Sequence, residues 1–355
     1  MNIENIKNVL ENVKYPKKLL KGLDDINIDN LEDYLKGEKV YVLGLRLTNY
    51  CNYSCVYCGT AEKRGSKEVK EVCLDEYLDL IRQAAEIGVS TIILGANGEP
   101  TLTPNLKLIL EEIGKYNMTP IIFTNASIFG DDELCKRVHN ITGEELLDVV
   151  DKTGTTLIVS CESIRKEKYN QIVGSNDPNA HEKFMLAMDR IKKTSIVEYR
   201  EFNGRPLCRL AFSSVVMPLN YEDRYELTGF IHSMNGLIIL KVPSLHGAAA
   251  ENKHLMFDVE KASVIQEELG EISDKKATLQ VLNLACGAWT LGISVRIDGE
   301  FMTCMTEESN PYEGEVNIRN TRLVDLVGKR QELLKLCSTV CPVKDKYYQK
   351  NKKNA

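Results

Sequence analysis

The sequence predicts an α/β protein in which a parallel sheet carries its helices on the outside. From residue 39 onward, short apolar runs alternate with amphipathic helical patterns, and this alternation repeats six times. Strands that are each followed by a helix pair in parallel, so the pattern predicts a curved or closed sheet. A flat, doubly wound sheet fits the same pattern and stays open as the alternative. The chain of 355 residues has room for such a domain and a smaller module beside it.

The predicted strands and helices follow one another in a regular order. Each strand is a short apolar run, and we place the strands at residues 40–47, 90–95, 120–124, 156–160, 208–217 and 237–242. Each helix has apolar residues at helical spacing, and we place the helices near residues 74–88, 104–116, 143–152, 180–193 and 221–234. Parallel sheets bind ligands at the carboxyl ends of their strands, so functional residues are expected in the loops that follow those ends.

The composition of the chain excludes several classes of function. The net charge of −6 argues against nucleic acid as the main partner, because phosphate binding requires a clustered cationic face. No apolar run approaches the roughly 18 residues of a membrane span. The first residues lack the basic and apolar segments of a signal peptide, so we expect a cytoplasmic protein. In that compartment the 11 cysteines are expected as metal ligands and buried thiols rather than disulfides.

Residues 1–38 are predicted to form a helical cap ahead of the barrel domain, which we assign to residues 39–257. Ile3, Ile6 and Val9 recur at helical spacing and would form one apolar stripe, which Pro16 then interrupts. The remaining residues, 258–355, are assigned to a smaller module.

Three cysteines lie close together in the loop that follows the first predicted strand. Cys51, Cys55 and Cys58 have the spacing C-x3-C-x2-C, and Tyr57 stands directly before the third cysteine. Soft thiolate ligands select iron–sulfur clusters or zinc. Three ligands would leave one iron of a four-iron cluster open, and an open position is typical of a catalytic metal. A zinc knuckle is the alternative, although no histidine lies nearby.

This cysteine spacing resembles the signature of the radical S-adenosylmethionine (SAM) enzymes. The resemblance implies a partial (β/α)6 barrel, similar to a TIM barrel, and a [4Fe-4S] cluster bound by Cys51, Cys55 and Cys58. It also implies that SAM chelates the open iron through its amino and carboxylate groups, with Tyr57 near the adenine.

The ends of later strands carry further motifs of this family. The second strand ends in Gly98-Glu99-Pro100, which is similar to the family's Gly-Gly-Glu-Pro motif and implies a contact between Glu99 and the amino group of SAM. Asn97 stands where the first glycine of the motif is usual. The third strand ends in Thr124-Asn125-Ala126, which resembles a Thr-Asn-Gly motif that lines the pocket.

The fourth, fifth and sixth strands offer polar residues at the same end of the barrel. Ser160 and Glu162 point to the same side of the fourth strand, and the family's Ser-x-Asp/Glu pattern there implies a contact with the ribose or carboxylate of SAM. Asn220, after the fifth strand, is a candidate contact for the adenosine part. Lys241, Ser244 and His246, after the sixth strand, are candidate substrate-facing groups.

The last third of the chain carries four cysteines in a different setting. Asp298-Gly299 between two alternating runs predicts a β-hairpin, and helices are predicted near residues 259–272 and 323–336. The cysteines lie around these elements, at Cys286, Cys304, Cys337 and Cys341. Four thiolates complete one cluster without an open iron, and the layout resembles the Twitch form of the SPASM auxiliary module. A zinc ribbon on the same thiolates is the alternative.

The resemblance implies a reductive mechanism with a radical intermediate. SAM would be cleaved, and a 5′-deoxyadenosyl radical would abstract hydrogen from the substrate, with an electron donor such as flavodoxin or ferredoxin as partner. We expect oxidation or epimerisation of a small polar metabolite such as a sugar or an aminocyclitol. The alternatives are the modification of a ribosomally made peptide and, in another class, a non-catalytic zinc scaffold.

Overall fold

The computed structural model describes residues 18–61, 70–95, 97–243, 247–274, 291–302 and 316–335. The strands of this part are β1 (Leu19–Leu20), β2 (Val42–Leu45), β3 (Thr91–Leu94), β4 (Thr119–Thr124), β5 (Thr156–Ser160), β6 (Arg200–Phe202), β7 (Arg205–Cys208), β8 (Leu210–Val215), β9 (Leu237–Lys241), β10 (Gly292–Val295) and β11 (Phe301–Met302).

The helices alternate with these strands, as the apolar periodicity predicts. They are α1 (Leu31–Lys36), α2 (Leu74–Glu86), α3 (Leu106–Lys115), α4 (Asp132–His139), α5 (Gly143–Lys152), α6 (Lys166–Val173), α7 (Ala180–Ile191), α8 (Arg224–Ser233), α9 (Ala248–Glu251), α10 (Val259–Ile272) and α11 (Leu323–Lys335). None of the helices in the described ranges is both long enough and apolar enough to cross a membrane.

Eight strands form one sheet in the order β11-β10-β2-β3-β4-β5-β8-β9. All neighbouring pairs are parallel except β10 and β11, which pair antiparallel at the edge. Six consecutive strands of this sheet, from β2 through β9 in the order given, are the six that the sequence predicts, so the expected α/β fold with a parallel sheet of the partial-barrel type is confirmed.

The outer face of the sheet packs against the helices. Leu43, Leu45, Ile92 and Leu94 alternate along β2 and β3, and each lies in the main hydrophobic core with residues of the surrounding helices. Side chains of a strand alternate between its two faces, so this pattern fixes which residues of each strand face inward. Burial of these apolar side chains is the main term that holds the helices on the sheet.

The inner face is closed at the amino ends of the strands. Ile121, Ile158, Ala211 and Leu237 form a second apolar cluster with residues of β1 and β7. The small sheet β1-β7-β6 therefore covers the floor of the barrel, and the interior opens toward the carboxyl ends. We call this inward-facing space above the floor the lumen.

Two details of the fold differ from the pattern-based expectation. The predicted fifth strand, 208–217, is two elements, because Cys208 belongs to β7 in the small sheet and β8 begins at Leu210. The second difference is that β10 pairs in parallel with β2 and so extends the barrel sheet. The predicted hairpin turn at Asp298-Gly299 itself is confirmed. Several predicted ligand or substrate-facing residues lie outside the described residues: Ser244, His246, Cys286, Cys304, Cys337 and Cys341.

Candidate active site

The loop that carries Cys51, Cys55 and Cys58 follows β2 and lies over the carboxyl ends of the strands. Its backbone is tied to the end of α6, since the N–H of Ser54 donates to the carbonyl of Val173 at 2.9 Å. Its far end is tied to the start of α9, where the N–H of Ala248 donates to the carbonyl of Cys58 at 2.9 Å. The positions of the three cysteines are therefore set by two helices and not by the loop alone.

Two glycines allow this close packing. Gly174 ends α6 with φ of +57°, and a β-carbon there would lie 2.5 Å from the carbonyl oxygen of Ser54. Gly247 precedes α9 with φ of +55°, and a β-carbon there would lie 2.6 Å from the carbonyl oxygen of Cys58. Only glycine adopts these conformations without strain and leaves room for the loop.

The three sulfur atoms lie in half-buried surroundings that contain hydrogen-bond donors. The N–H of Tyr53 donates to Sγ of Cys51 at 3.5 Å, and Sγ of Cys58 lies 3.5 Å from Oγ1 of Thr60. Within the described ranges, no group of three or more His, Cys, Asp or Glu side chains has the geometry that holds a single metal ion. The ligands of a four-iron cluster bind different irons, so they stand farther apart than the ligands of one ion.

The loop after β3 is wedged against the cysteine loop. Gly98 has φ of +63°, and a β-carbon there would lie 2.5 Å from the carbonyl oxygens of Thr48 and Tyr50. The next residue, Glu99, donates its backbone N–H to the carbonyl of Tyr50 at 2.7 Å. Contact this close requires glycine, so the Gly98-Glu99 sequence positions the Glu99 side chain beside the cysteines.

The carboxylate of Glu99 is 3 % exposed and accepts four hydrogen bonds. Oε1 accepts from the N–H of Thr101 at 3.1 Å, from its hydroxyl at 2.7 Å and from the hydroxyl of Thr124 at 2.6 Å. Oε2 accepts from the N–H of Asn125 at 2.7 Å. Burial raises the pKa of the Glu99 carboxyl, and the bonds from Asn125, Thr124 and Thr101 act in the opposite direction. All four donors are neutral, and no cationic side chain of the described residues pairs with this carboxylate.

The loop after β4 joins the other two. The side-chain amide of Asn125 donates to Oδ1 of Asn52 at 2.9 Å, and Asn52 donates to the hydroxyl of Ser127 at 2.8 Å. Ala126 has φ of +59°, so it adopts the left-handed conformation for which the related motif has glycine. The three loops after β2, β3 and β4 thus form one hydrogen-bonded unit.

Tyr57 and Glu162 are joined across the site. The phenol of Tyr57 donates to Oε1 of Glu162 at 2.6 Å, and Glu162 is 2 % exposed. Burial raises the pKa of Glu162 to about 7, while the hydrogen bond from Tyr57 and the charge of Lys241 act in the opposite direction. A carboxyl group with this pKa exchanges its proton near neutral pH.

Asn220 has a structural part in this region. Its amide donates to the carbonyl of Glu162 at 2.7 Å and to that of Val215 at 3.0 Å, and its oxygen accepts from the N–H of Met217 at 2.7 Å. These bonds fix the turn after β8 and engage both donors of the amide. The predicted contact with adenosine stays a prediction, and the remaining lone pair of Oδ1 is the group left for it.

The inward-facing residues above the floor are more exposed and more mixed in polarity than the apolar residues of the floor. Phe123 is 38 % exposed although it lies on a central strand, and Ser160, Ser213 and Ile239 are half-buried neighbours in the strand register. Lys241 ends β9 with an exposed side chain, and partial desolvation of its ammonium group by the surrounding protein lowers its pKa, while the charge of Glu162 acts in the opposite direction. The lumen is therefore open and mixed in polarity.

The amino-acid sequence of this region matches the model of a known protein family. The family model described as the radical SAM superfamily matches residues 45–229, which is more than half of the chain. The chain belongs to the radical SAM superfamily. The protein is thus a member of an enzyme superfamily that depends on SAM, as the cysteine loop predicts.

Relatives of this radical SAM protein include enzymes named GTP 3′,8-cyclase. The protein from Synechocystis sp. is 24 % identical over 282 residues, which cover 78 % of this chain and 75 % of the relative. A Clostridium botulinum protein is 26 % identical over 145 residues, which cover 40 % of this chain and 41 % of the relative. The match to this second relative thus spans about two fifths of its length.

Solved structures with a similar fold include SuiB from Streptococcus suis. The structure of SuiB bound to the precursor peptide SuiA has a TM-score of 0.59 at 14 % identity, with 84 % of this chain and 67 % of SuiB covered. The structure of SuiB bound to S-adenosylmethionine has a TM-score of 0.54 at 15 % identity, with 84 % and 68 % covered. At this identity the likeness concerns the fold.

Membership in the superfamily implies a [4Fe-4S] cluster and SAM, and the residues of the site fit both groups. Cys51, Cys55 and Cys58 share one loop, and the sulfur of Cys51 accepts a backbone N–H, which favours a thiolate. The Glu99 carboxylate is buried among neutral donors, so an ammonium group would supply the missing positive charge.

The structure brings together most of the predicted residues that it describes. Glu99, Tyr57 and Glu162 lie around the cysteine loop at the carboxyl ends of the strands. Sequence reasoning missed Phe123 and Ser213, because one lies in an apolar run and the other in an ordinary strand. The alternation of side chains from Ile121 and Ala211 would have identified both as inward-facing.

Proposed function

We propose that the protein cleaves SAM reductively and uses the resulting radical to oxidise or epimerise a small polar metabolite, such as a sugar or an aminocyclitol. The observation that carries the proposal is the convergence of three features at one end of the barrel. These features are the cysteine loop, the buried Glu99 carboxylate without a cationic partner among the described residues, and the open lumen.

In this proposal each part of the chain has a defined task. Cys51, Cys55 and Cys58 would hold the cluster, and Gly98 would place Glu99 where it accepts from the amino group of SAM. When bound, the cluster and SAM supply the one-electron cleavage that yields the 5′-deoxyadenosyl radical. The protein's own contribution is to orient SAM and substrate and to exclude water from the lumen.

The lumen supports a small polar substrate. Phe123 and Ile239 provide apolar surface, while Ser160 and Ser213 provide hydroxyl groups whose hydrogen-bonding capacity no described residue takes up. Sites for small molecules combine apolar walls with a few placed polar groups in this way. Modification of a ribosomally made peptide is the competing function.

We also propose an auxiliary [4Fe-4S] cluster, bound by Cys286, Cys304, Cys337 and Cys341, that passes electrons. The observation that supports it is the hairpin of β10 and β11, since β11 ends at Met302 and leads directly into Cys304. Because four cysteines leave no iron open, such a cluster would accept the second electron of a two-electron oxidation.

Anaerobic reconstitution followed by an assay for 5′-deoxyadenosine tests the first part. With SAM and a reductant we expect 5′-deoxyadenosine from the native protein and none from Cys55→Ala. Cys73→Ser is the matched control, because Cys73 is exposed and lies outside the site. Absence of cleavage in a fully loaded native sample would overturn the proposal, and zinc without sulfide would favour the scaffold.

Counting iron and sulfide on the same samples tests the auxiliary cluster. Two four-iron clusters correspond to about eight irons per chain, and Cys337→Ala should lower the count to about four irons while Cys55→Ala retains the auxiliary cluster. An unchanged iron count in Cys337→Ala would contradict the proposed auxiliary cluster. Turnover with a small polyol, but not with a peptide, would decide between the two substrate classes.

A further inference from the structure

Three donor groups on neighbouring strands face the lumen, and their side chains form no hydrogen bond or ion pair with another described residue. Ser160 pairs with Ser213 across β5 and β8, so both hydroxyls lie on the inward face at the same level. Lys241 pairs with Val215, one inward position above Ser213, so it lies on the same inward face, one strand from Ser213 and two strands from Ser160. We call Ser160, Ser213 and Lys241 the lumen triad.

The inward direction of the triad follows from the floor of the barrel. Ile158, Ala211 and Leu237 belong to the floor cluster beneath the lumen. Ser160 and Ser213 follow Ile158 and Ala211 by two residues, and Lys241 follows Leu237 by four residues. Residues two or four apart on a strand share a face, so the triad points into the lumen above the floor.

The hydrogen-bonding state of the triad leaves it available to a ligand. No carboxylate of the described residues forms an ion pair with Lys241, and its side chain is exposed to the lumen. The nearby carboxylate of Glu162 accepts a hydrogen bond from the phenol of Tyr57 and acts on Lys241 only through its charge, which raises the pKa of the lysine. An anion bound in the lumen would therefore accept a charge-assisted hydrogen bond from the exposed ammonium group of Lys241 without displacing an existing ion pair.

Apolar side chains flank the two serines on the neighbouring strands. Phe123 lies 38 % exposed on β4, at the level just below the serines, and Ile239 lies beside Ser213 on β9. An anion held at the triad would therefore extend an attached carbon skeleton over an apolar surface. Burial against apolar side chains together with a charge-assisted hydrogen bond is typical of a specific small-molecule site.

We propose that the lumen triad binds an anionic group of the substrate, a carboxylate or a phosphate, with Lys241 as the principal contact. This inference rests on the proposed function, because it assigns the recognition group of the substrate in the same lumen. It narrows the substrate from a small polar metabolite to a metabolite that carries an acid group.

Protection of Lys241 from acylation tests the inference without turnover. Reconstituted holoenzyme is treated with an N-hydroxysuccinimide ester, with inorganic phosphate, acetate or neither, and each lysine is quantified by mass spectrometry. We expect at least one anion to slow acylation of Lys241 by about tenfold, the size of one charge-assisted hydrogen bond. Lys152 is the internal control, because its side chain is 80 % exposed and far from the lumen.

The two anions separate the possible acid groups. Protection by acetate alone assigns a carboxylate, protection by phosphate alone assigns a phosphate, and protection by both supports a general anion site. Ser213→Ala should weaken the protection severalfold, while Lys152→Met should leave it unchanged. No protection by either anion in folded, iron-loaded protein would overturn the inference.

The carboxylate of SAM is the competing ligand of the lumen triad. A second variant, Lys241→Met, tests whether SAM binds there. The affinity for SAM is measured by equilibrium dialysis in native protein and in Lys241→Met. Affinities that agree within about twofold support a substrate site, whereas a loss of about tenfold would place Lys241 in the SAM site and overturn the inference. The 5′-deoxyadenosine assay on the native sample reports separately whether the proposed function holds.

Discussion

Two buried carboxylates, Glu99 and Glu162, stand at the same end of the barrel in different surroundings. Glu99 accepts four hydrogen bonds, from the loop after β3, the last residue of β4 and the loop after β4. Glu162 accepts a hydrogen bond from the phenol of Tyr57, also interacts with the backbone N–H groups of Val215 and of its own residue, and lies near the charge of Lys241. The first carboxylate is therefore held as part of the framework. The pKa of the second depends on Tyr57 and on the charge of Lys241, so its protonation state should change when a ligand alters either contact.

The largest effect is expected where the Glu99 loop meets the cysteine loop. In Gly98→Ala the new β-carbon would lie 2.5 Å from two backbone oxygens at a φ of +63°. We expect a loss of roughly 4 kcal/mol in the free energy of unfolding, because backbone overlap adds to the left-handed strain. Urea denaturation of the apoprotein measures this loss.

Gly88→Ala is the matched control for that variant. Gly88 has φ of +75° and nothing within 4 Å of a β-carbon, so it isolates the cost of backbone strain at about 1–2 kcal/mol. Equal losses in the two variants would show that contact with the cysteine loop contributes nothing.

The second expected effect is a dependence of stability on pH that originates at Glu162. The folded pKa of about 7 lies above the ordinary value of 4.5, so the native state binds more protons than the unfolded chain between these values. The free energy of unfolding should therefore fall as pH rises through this window, by roughly 3 kcal/mol. Urea denaturation of the apoprotein at several pH values measures the slope.

Glu162→Gln identifies the source of that slope. The variant cannot ionise, so the decrease across the window should become much smaller. Burial also raises the pKa of Glu99, so a residual slope of the same sign should remain. A slope that is unchanged in Glu162→Gln would contradict the assignment.

The third expected effect distinguishes the two carboxylates by replacing each with an amide of the same shape. In Glu99→Gln an amide –NH2 group takes the place of Oε2, which accepts from the N–H of Asn125 in the native protein. Two buried donors then face each other and neither has an acceptor. We expect a loss of roughly 2 kcal/mol near pH 6, the cost of an unsatisfied buried group. Glu162→Gln should lose less at the same pH, because its amide oxygen still accepts from Tyr57. Thermal unfolding of both apoproteins compares them, and a larger loss in Glu162→Gln would reverse the comparison.

The smallest effect is expected from Tyr57→Phe. Removal of the phenol takes one hydrogen bond from Glu162, so its pKa should rise further and stability should fall by about 1 kcal/mol. The pH at which Glu162 titrates in the apoprotein, followed by NMR, measures the change. Tyr50→Phe is the control, because Tyr50 is 59 % exposed, and a similar shift there would argue against the Tyr57 contact.

Most of the barrel was predictable because its signals are local. Strand β5 (Thr156–Ser160) and helix α10 (Val259–Ile272) have the bounds that periodicity predicts. Hydrophobic alternation and helix start signals act over a few residues, so one sequence contains them in full. The cysteine spacing is equally local, and it led to the family that the comparison shows.

The features that were missed depend on contacts between distant segments. Leu19–Leu20 is too short to stand out as a strand, and it forms one only through pairing with Leu207 and Cys208. The exposure of Phe123 could not be predicted, because an apolar residue on a central strand is ordinarily buried and only the open lumen exposes it. The register that aligns Ser160 with Ser213 is likewise a property of the assembled sheet.

The pairing of β10 with β2 has a consequence for biosynthesis. Gly292–Val295 lies parallel to Val42–Leu45, the strand that leads into the cysteine loop, although nearly the whole barrel separates them along the chain. One edge of β2 therefore stays without this partner on the ribosome until residue 295 has been made. An unpaired strand edge invites association with other chains. The yield of soluble protein should thus depend on how quickly the end of the chain is translated, and truncation before residue 292 should leave that edge open.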